Sequence, residues 1–372
     1  MAKKVYIGVD GKARKVKKMY IGVGGKARKI KKGYIGVGGV ARPFWTGGEL
    51  AYYGKATDLS VGRCYLAATT VGSYALFGGG QAGTSYTNSA PAVDAYTSSL
   101  VRSTPTGLSQ AKTGLAATTI GSYALFGGGQ TNQSYDYVNT VDAYNTSLTR
   151  SVPDGLAKDG HQPAATTIGN YAIFAGGRYS SSKHTDGVTA YNASLTKSSP
   201  TVLSLGRGNF AATAVGNYAL FGGGYYYTND GGLTTDKVDA YNKSLTRSTP
   251  TALSKARDGL AATTVGDYAL FAGKTTHVDA YNSSLTRSSA TALSFDRTAP
   301  AATTVGDYAI FGGDFYTLTE HLCVDVYDKS LTKTSNLSLS SVRDYFAATT
   351  VGNYALFGGG YSKVAVVDVF TV

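Results

Sequence analysis

The sequence predicts an all-β fold, a seven-bladed β-propeller of four-stranded antiparallel blades, closed by an N-terminal strand and preceded by a small N-terminal β-hairpin arm. The first observation is a recurring Ala-Ala pair, at Ala67, Ala116, Ala164, Ala211, Ala261, Ala301 and Ala347. A spacing of roughly 40 to 50 residues is typical of repeat architectures. The second is a Val-x-x-Tyr-like segment later in each copy, and the third is the lack of helical periodicity. Four strands in each of seven repeats indicate a propeller.

The fifth repeat shows the order of elements within a blade. Residues 261–271 alternate small, β-branched and aromatic residues around a Gly-Asp pair, which predicts a β-hairpin with a two-residue turn. After a loop of variable length, Val278 to Tyr281 forms the third strand. A turn at 282–284 leads to a fourth extended stretch, 285–288, because Asn and Ser hydrogen-bond their own backbone in tight turns.

Charged residues recur at fixed places in the third and fourth strands. A three-residue turn at 242–244 places Tyr241 opposite Leu245. The same register places an acid opposite a base in four copies, Asp142 with Arg150, Asp239 with Arg247, Asp279 with Arg287 and Asp325 with Lys333. A pair of opposite charges on adjacent strands stabilises a sheet by about 0.2 to 1 kcal/mol. We therefore interpret these aspartates as structural rather than catalytic. The third copy has Thr189 opposite Lys197 instead.

The repeat resembles the kelch family, in which a Gly-Gly-ended strand is followed by Val-x-x-Tyr and then Asn or Asp. The resemblance extends from about residue 48 to the C-terminus and implies a propeller. The sequence departs from the family at the fourth-strand Trp, where it has leucine, at Leu100, Leu148, Leu195, Leu245, Leu285 and Leu331.

The two ends of the propeller are expected to share one blade. The sequence stops after the seventh Val-Asp-x-Phe strand, so the last blade lacks a fourth strand. The segment Leu59 to Arg63 matches Leu253 to Arg257, which precedes a blade in the middle of the chain. We therefore predict that Glu49 to Ser60 supplies the outer strand of blade seven and removes a free sheet edge.

The positive charge is concentrated at the N-terminus, which divides the chain into an arm, 1–45, and a propeller, 46–372. Thirteen of the 35 Lys and Arg residues but only Asp10 among the 23 acids lie in the arm, so the propeller is neutral. The arm has its own 14-residue repeat, beginning at Tyr6, Tyr20 and Tyr34. Asp-Gly and Gly-Gly dipeptides within the repeats predict hairpin turns.

The arm has too few apolar residues for a core of its own, since isolated hairpins are marginal in water. We expect it to dock on the propeller, on a sister chain or on assembly proteins, with oligomerisation through the arm possible and Trp45 as an anchor. Contact with nucleic acid or another anionic surface is a less favoured alternative, and a disordered tail is a third. The repeats resemble those of tail-associated proteins from phages and prophages of Gram-positive bacteria.

The loops between the second and third strands vary strongly and are rich in Tyr, Ser, Thr, Asn and Gly. This composition combines rigid aromatic area with adaptable hydrogen bonding, as in antibody paratopes. Tolerant polar loops without a ligand are the alternative. We predict an exposed ligand-binding face made by Tyr86, Tyr135, Tyr137, Tyr179, Tyr225, Tyr226, Tyr227, Phe315 and Tyr316.

Catalysis has little support in the sequence. All four histidines, His161, His184, His277 and His321, fall in these connections, but no spacing demands a metal site. Kelch-like copper oxidases use a Cys–Tyr link, and neither Cys64 nor Cys323 lies in a matching motif; the two are expected not to form a disulfide. We therefore predict no catalytic residue, no cofactor and no metal.

The predicted function is binding rather than chemistry. The protein is expected to be a phage-tail-like receptor-binding or accessory component that recognises a cell-surface glycan or protein. We expect it to be made in the bacterial cytoplasm without a signal peptide and to be located in a tail-like particle, or outside the cell after release. No apolar run is long enough to span a membrane. The alternatives are a propeller enzyme, either a copper oxidase or a glycan-active enzyme, and an intracellular scaffold whose arm binds nucleic acid.

Overall fold

The structure is a computed structural model that describes residues 6–9, 12–15, 19–23, 26–30, 33–37, 40–45, 48–82, 88–131, 136–314, 322–361 and 364–372. These residues contain seven four-stranded antiparallel sheets, which confirms the predicted seven-bladed propeller. No helix in this part of the chain is of the length and apolarity needed to cross a membrane.

Six arm strands and one closing strand precede the first complete blade. The arm forms three separate hairpins, β1 (Tyr6–Val9) with β2 (Lys12–Lys15), β3 (Met19–Val23) with β4 (Lys26–Ile30), and β5 (Gly33–Val37) with β6 (Val40–Trp45). The closing strand is β7 (Ala51–Lys55).

The remaining strands build the blades in chain order. Blades one and two are β8 (Ala67–Val71), β9 (Tyr74–Gly78), β10 (Val93–Thr97) and β11 (Arg102–Ser103), then β12 (Ala116–Ile120), β13 (Tyr123–Gly127), β14 (Val141–Asn145) and β15 (Arg150–Ser151). Blade three is β16 (Ala164–Ile168), β17 (Tyr171–Ala175), β20 (Val188–Tyr191) and β21 (Lys197–Ser198), with an extra hairpin of β18 (Arg178–Ser180) and β19 (Lys183–His184). Blade four is β22 (Ala211–Val215), β23 (Tyr218–Gly222), β26 (Val238–Asn242) and β27 (Arg247–Ser248), with an extra hairpin of β24 (Tyr225–Thr228) and β25 (Gly231–Thr234).

Blades five to seven complete the ring. Blade five is β28 (Ala261–Val265), β29 (Tyr268–Ala272), β30 (Val278–Asn282) and β31 (Arg287–Ser289), and blade six is β32 (Ala301–Val305), β33 (Tyr308–Gly312), β34 (Cys323–Asp328) and β35 (Lys333–Ser338). Blade seven is β36 (Ala347–Val351), β37 (Tyr354–Gly358), β38 (Val367–Thr371) and β7. The inner strands β8, β12, β16, β22, β28, β32 and β36 lie side by side around the axis.

The first hairpin of each blade forms as predicted. In blade five, Val265 pairs with Tyr268 across a two-residue turn. Gly266 has a φ of +54° in this turn, a left-handed conformation that glycine adopts without steric cost. The glycine therefore determines where the inner strand ends and the chain turns back into the second strand.

The second turn of each blade differs from the prediction. Arg247 is the Cα partner of Tyr241, so the predicted register of Tyr241 opposite Leu245 is wrong. Five residues, 242–246, separate the two partners instead of the predicted three, and Leu245 among them has a left-handed conformation with a φ of +61°. The Asn242 side chain stabilises the turn, since its Oδ1 accepts hydrogen bonds from the backbone N–H groups of Ser244 and Thr246. The six leucines compared above with the kelch Trp all lie at this turn position and pack, partly buried, against the blade cores.

Aromatic residues of the second and third strands fill the spaces between blades. In blade four, Phe221 and Tyr241 are fully buried and meet edge to face with ring centroids 5.8 Å apart. The Tyr241 hydroxyl donates a 2.8 Å hydrogen bond to the carbonyl of Thr201, in the connection that enters the blade. In six blades a buried tyrosine with a satisfied hydroxyl thus binds such a connection to the third strand, while blade seven has Phe370 at this position.

The N-terminal strand closes the ring as predicted. β7 pairs antiparallel with β38, so that Tyr52 lies opposite Phe370. The Tyr52 hydroxyl donates a 2.7 Å hydrogen bond to Asp368, and its ring packs edge to face on Phe370. The edge of β38 is therefore covered by a segment more than 300 residues earlier in the chain.

Six blades contain a buried ion pair. The third-strand aspartate is fully buried and pairs with a buried cation from the preceding connection, as Arg63 with Asp94, Lys112 with Asp142, Arg207 with Asp239, Arg257 with Asp279, Arg297 with Asp325 and Arg343 with Asp368. The predicted partners from the fourth strand are also present, for example Arg247 at 3.0 Å from Asp239. The structural interpretation of these aspartates is confirmed, although the buried cations were not predicted.

Blade three has neither member of this pair. Gly160 stands where the other blades have the cation, and Thr189 stands where they have the aspartate. Thr189 Oγ1 accepts a 2.8 Å hydrogen bond from the backbone N–H of Ala157. In blade four the equivalent bond runs from Ser204 N–H to Asp239. The threonine keeps the backbone contact, and no buried charge is left without a partner.

Candidate binding site on the loop face

The loop face is the side of the ring where the second strand connects to the third and where each blade connects to the next. Short antiparallel bridges join the two kinds of connection. The bridged pairs include Cys64 with Gln81, Thr113 with Gln130, His161 with Arg178, and Gly208 with Tyr225. These bridges hold the variable loops against the rigid start of the inner strands.

Seven residues encircle the axis on this face, and we call them the axial ring. They are Tyr65, Gly114, Gln162, Asn209, Gly259, Ala299 and Tyr345, each two residues before an inner strand and each with a φ between +47° and +62°. Backbone hydrogen bonds join neighbours in the ring, from the N–H of Tyr65 to Tyr345, Gly114 to Tyr65, Gln162 to Gly114, Asn209 to Gln162, Gly259 to Asn209, and Tyr345 to Ala299. Each of these six hydrogen bonds joins a blade to its neighbour around the ring.

The central channel continues from the axial ring between the inner strands. It encloses about 410 Å³ and is lined by threonines and Ala214. Hydroxyl groups of adjacent blades bond to one another, as between Thr69 and Thr119 and between Thr263 and Thr304, each at 2.8 Å. The lining therefore carries hydroxyl and methyl groups and no charge.

Two tyrosines of the axial ring stack where blades seven and one meet. The ring centroids of Tyr65 and Tyr345 are 4.2 Å apart, with an angle of 32° between the planes. Both side chains are half-buried. Polar groups lie further around the ring, where Asn209 Nδ2 donates a 2.8 Å hydrogen bond to Asp258.

The extra hairpins of blades three and four carry a second aromatic group, which we call the aromatic wall and which consists of His184, Tyr225 and Tyr227. The His184 ring stacks on Tyr227 with centroids 5.6 Å apart, and Tyr225 meets Tyr227 edge to face at 5.2 Å. Burial and the nearby Arg178 charge lower the pKa of His184 to about 4, so the imidazole is neutral at pH 7. A hydrogen bond with Tyr227 raises the pKa of Tyr225.

Tyr137 is not exposed as predicted. Its side chain is only 7% exposed, because a bridge to Gln130 folds its loop back onto the blade. Its hydroxyl accepts a 3.0 Å hydrogen bond from Arg178 Nε, and the guanidinium lies 5.6 Å from the ring centroid. Tyr137 therefore contacts Arg178 through both its hydroxyl and its ring. Burial and the Arg178 charge lower the pKa of the adjacent His161 to about 3.

The other predicted site residues are distributed unevenly. Tyr225 and Tyr227 share one side of their hairpin, while Tyr226 pairs with Leu233, which is 50% exposed, on the other side. Tyr179 is 44% exposed on β18. Four predicted residues lie outside the described residues, namely Tyr86, Tyr135, Phe315 and Tyr316.

Sequence reasoning missed the axial ring. A signal was present, because the residues two and three positions before each Ala-Ala pair differ among the repeats while the Ala-Ala-Thr that follows is constant. A variable residue within a constant frame is typical of a presented side chain. The prediction considered only the longer loops.

The histidines and cysteines form no chemical centre within the described ranges. No group of three His, Cys, Asp or Glu side chains is placed to hold a metal ion there. His277 is exposed, and His321 lies outside the described residues. Cys64 and Cys323 are both free thiols, as expected. Burial and the charge of Asp344 raise the pKa of Cys64 to about 11, so its thiol is protonated at neutral pH.

No protein-family model matches the sequence, and no curated protein is similar to it. The propeller architecture is therefore established by strand pairing and not by relationship to a named family.

Proposed function

We propose that the protein is a non-enzymatic binding protein whose loop face recognises a glycan or protein on a cell surface. The observation that carries this proposal is the aromatic wall, in which three rings from two blades are held together at the rim of a rigid ring of sheets. Exposed aromatic rings on fixed loops are typical of binding surfaces, because they bring contact area at low entropic cost.

A glycan fits this surface better than a purely apolar partner. Tyrosine combines an aromatic face, which contacts the C–H groups of a sugar ring, with a hydroxyl that bonds to sugar hydroxyls. Charged and amide groups lie near the wall, since the charges of Asp258 and Arg178 both act on Tyr225 and Asn209 donates a hydrogen bond to Asp258. Such convergent polar groups beside an aromatic surface provide orientation as well as affinity.

The arm anchors the propeller in a larger assembly, which we propose to be a phage-tail-like particle, with the blades being kelch-like. Each arm hairpin is a separate two-stranded sheet, and such sheets are marginally stable alone. Tyr20 and Tyr34 occupy equivalent places in successive hairpins and are 55% and 53% exposed. Exposed aromatic residues repeated along basic hairpins are suited to contact with a partner surface.

Binding of the full-length protein to a microarray of neutral hexose and N-acetylhexosamine oligosaccharides, and to bacterial cells, tests the proposal. The Tyr225→Ala/Tyr227→Ala variant should lose at least about tenfold in affinity, which corresponds to about 1.4 kcal/mol. A matched control is Lys243→Ala, which changes an exposed turn on the opposite face. Equal binding by the wild type, the double variant and the control would contradict the proposal. Binding to cells without binding to oligosaccharides would indicate a protein receptor.

A further inference from the structure

We infer that Tyr65 and Tyr345 form a platform for one neutral sugar ring at the mouth of the central channel, an inference that rests on the proposed glycan-binding function of the loop face. Neither residue was among the predicted ligand-binding residues. The inference begins from the backbone of the axial ring.

The two tyrosines adopt a conformation that their side chains disfavour. Their φ angles are +53° and +50°, in the left-handed region where Cβ crowds the following carbonyl oxygen. Gly114 and Gly259 occupy equivalent positions in other blades with φ angles of +62° and +60°, where glycine has no such penalty. The fold therefore accepts glycine at this position, so the backbone conformation does not itself require the two tyrosines, and their aromatic rings call for another explanation.

The arrangement of side chains around the axial ring is asymmetric. The stacked tyrosines occupy one arc, and Gln162 and Asn209 are consecutive members of the ring on the far side. Small residues separate these two arcs, with Gly114 on one side and Gly259 and Ala299 on the other. The aromatic pair and the two amide residues therefore lie on opposite arcs of the ring, and the His161 ring lies against Gly114 between them.

This arrangement matches the chemistry of a pyranose. One face of the sugar ring presents C–H groups that pack on tyrosine, while the opposite edge presents hydroxyls that bond to amides. The seven axial-ring residues carry no charge, the channel is lined by threonines and Ala214, and the carboxylate of Asp258, which accepts a hydrogen bond from Asn209, would repel an anionic sugar. A neutral sugar is therefore favoured over a sialic acid or a uronic acid.

The test compares three full-length variants on the same oligosaccharide microarray. Tyr65→Gly/Tyr345→Gly should lose at least about tenfold in affinity. Tyr65→Phe/Tyr345→Phe keeps the aromatic faces and should retain most of the binding. Ala299→Gly relieves the same backbone strain, at a φ of +47°, without touching the platform, and should bind as the wild type does.

The melting temperature distinguishes a binding role from a structural one. Because glycine suits the left-handed positions, the glycine pair should melt within about 4 °C of the wild type. If the glycine variant melts at a lower temperature than this, the affinity of a Gln162→Ala variant provides the test, because Gln162 is half-buried and lies on the opposite arc. An unchanged affinity of Gln162→Ala for the oligosaccharide would then overturn the inference. If the folded Tyr65→Gly/Tyr345→Gly variant binds with wild-type affinity while the Tyr225→Ala/Tyr227→Ala variant loses affinity, the platform is overturned and the proposed function is not. Absence of oligosaccharide binding by the wild type would instead contradict glycan recognition as a whole.

Discussion

Arg207 and Asp239 form an ion pair inside blade four, with Nη1 of the arginine 2.9 Å from Oδ2 of the aspartate and neither side chain exposed to solvent. The arginine also donates to the carbonyl of Phe221, and the aspartate accepts from the backbone N–H of Ser204. The pair therefore ties the connection entering the blade to its second and third strands. Six of the seven blades repeat this arrangement.

Replacing one member of the Arg207–Asp239 pair is expected to lower the free energy of unfolding more than replacing both. Asp239→Thr leaves a buried guanidinium without its carboxylate and should lower the free energy of unfolding by about 3 to 5 kcal/mol. Arg207→Met/Asp239→Thr leaves no buried charge without a partner, because Arg247, which also pairs with Asp239, is partly exposed, and this variant should lose less stability. Urea unfolding measures both values.

The exposed pair of Lys329 and Asp307, 2.7 Å apart, provides the control. Asp307→Ala should change the free energy of unfolding by at most about 1 kcal/mol, because solvent screens the charges. If the Arg207→Met/Asp239→Thr variant is less stable than Asp239→Thr, the unpaired buried arginine is not the cause of the destabilisation.

Asp344 should make the fold less stable as the pH rises. Burial raises the pKa of its carboxyl group to about 6, and its side chain is only 3% exposed. The folded state therefore holds the proton more tightly than the unfolded state, and stability falls as the pH rises from about 4 to about 6. Asp344→Asn removes this titration and should raise the free energy of unfolding at pH 7 by about 1 to 3 kcal/mol. Urea midpoints of both proteins between pH 4 and 7 measure the difference; parallel pH profiles would show that Asp344 does not titrate in this range.

His161 should make one axial-ring glycine irreplaceable. A Cβ at Gly114 would lie 2.2 Å from His161 Nε2, whereas a Cβ at Gly259 meets nothing closer than Asn209 Nδ2 at 3.5 Å. Both glycines are left-handed, so Gly114→Ala and Gly259→Ala each carry a backbone cost of about 1 to 2 kcal/mol. Gly114→Ala should cost more because of the collision, and adding His161→Ala should remove the excess. Thermal unfolding compares the three variants, and equal costs for the two single variants would rule out the collision.

The closing strand should be essential to the ring, and the arm should not. Deleting residues 1–45 leaves β7 paired with β38 and should preserve cooperative thermal unfolding. Deleting residues 1–56 exposes the edge of β38 and removes the Tyr52 contact with Asp368. The second truncation should therefore melt at a lower temperature and aggregate, as measured by calorimetry and light scattering. Identical melting of the two truncations would show that closure by β7 does not stabilise the ring.

The strand order was predictable because it depends on local patterns. Val265 and Tyr268 are three residues apart, and the glycine between them has few alternatives to a turn. The second turn was harder to predict, since leucine rarely adopts the left-handed conformation found at Leu245. Packing of Leu245 against the neighbouring core accompanies this conformation. The buried cations were missed because Arg207 and Asp239 are 32 residues apart and only the closed blade brings them together.

The sequence by itself determined the number of blades, the order of strands and the origin of the closing strand, because repeat spacing, hydrophobic alternation and turn glycines act over short distances. Only the tertiary structure decided which side chains share a surface. Tyr65 and Tyr345 are separated by most of the chain, and they meet because the ring closes between blades seven and one, where the N–H of Tyr65 donates to the carbonyl of Tyr345. Likewise, Tyr137 and Tyr225 both belong to tyrosine-containing loops between a second and a third strand, yet Tyr137 is buried against its blade while Tyr225 lies in an added hairpin.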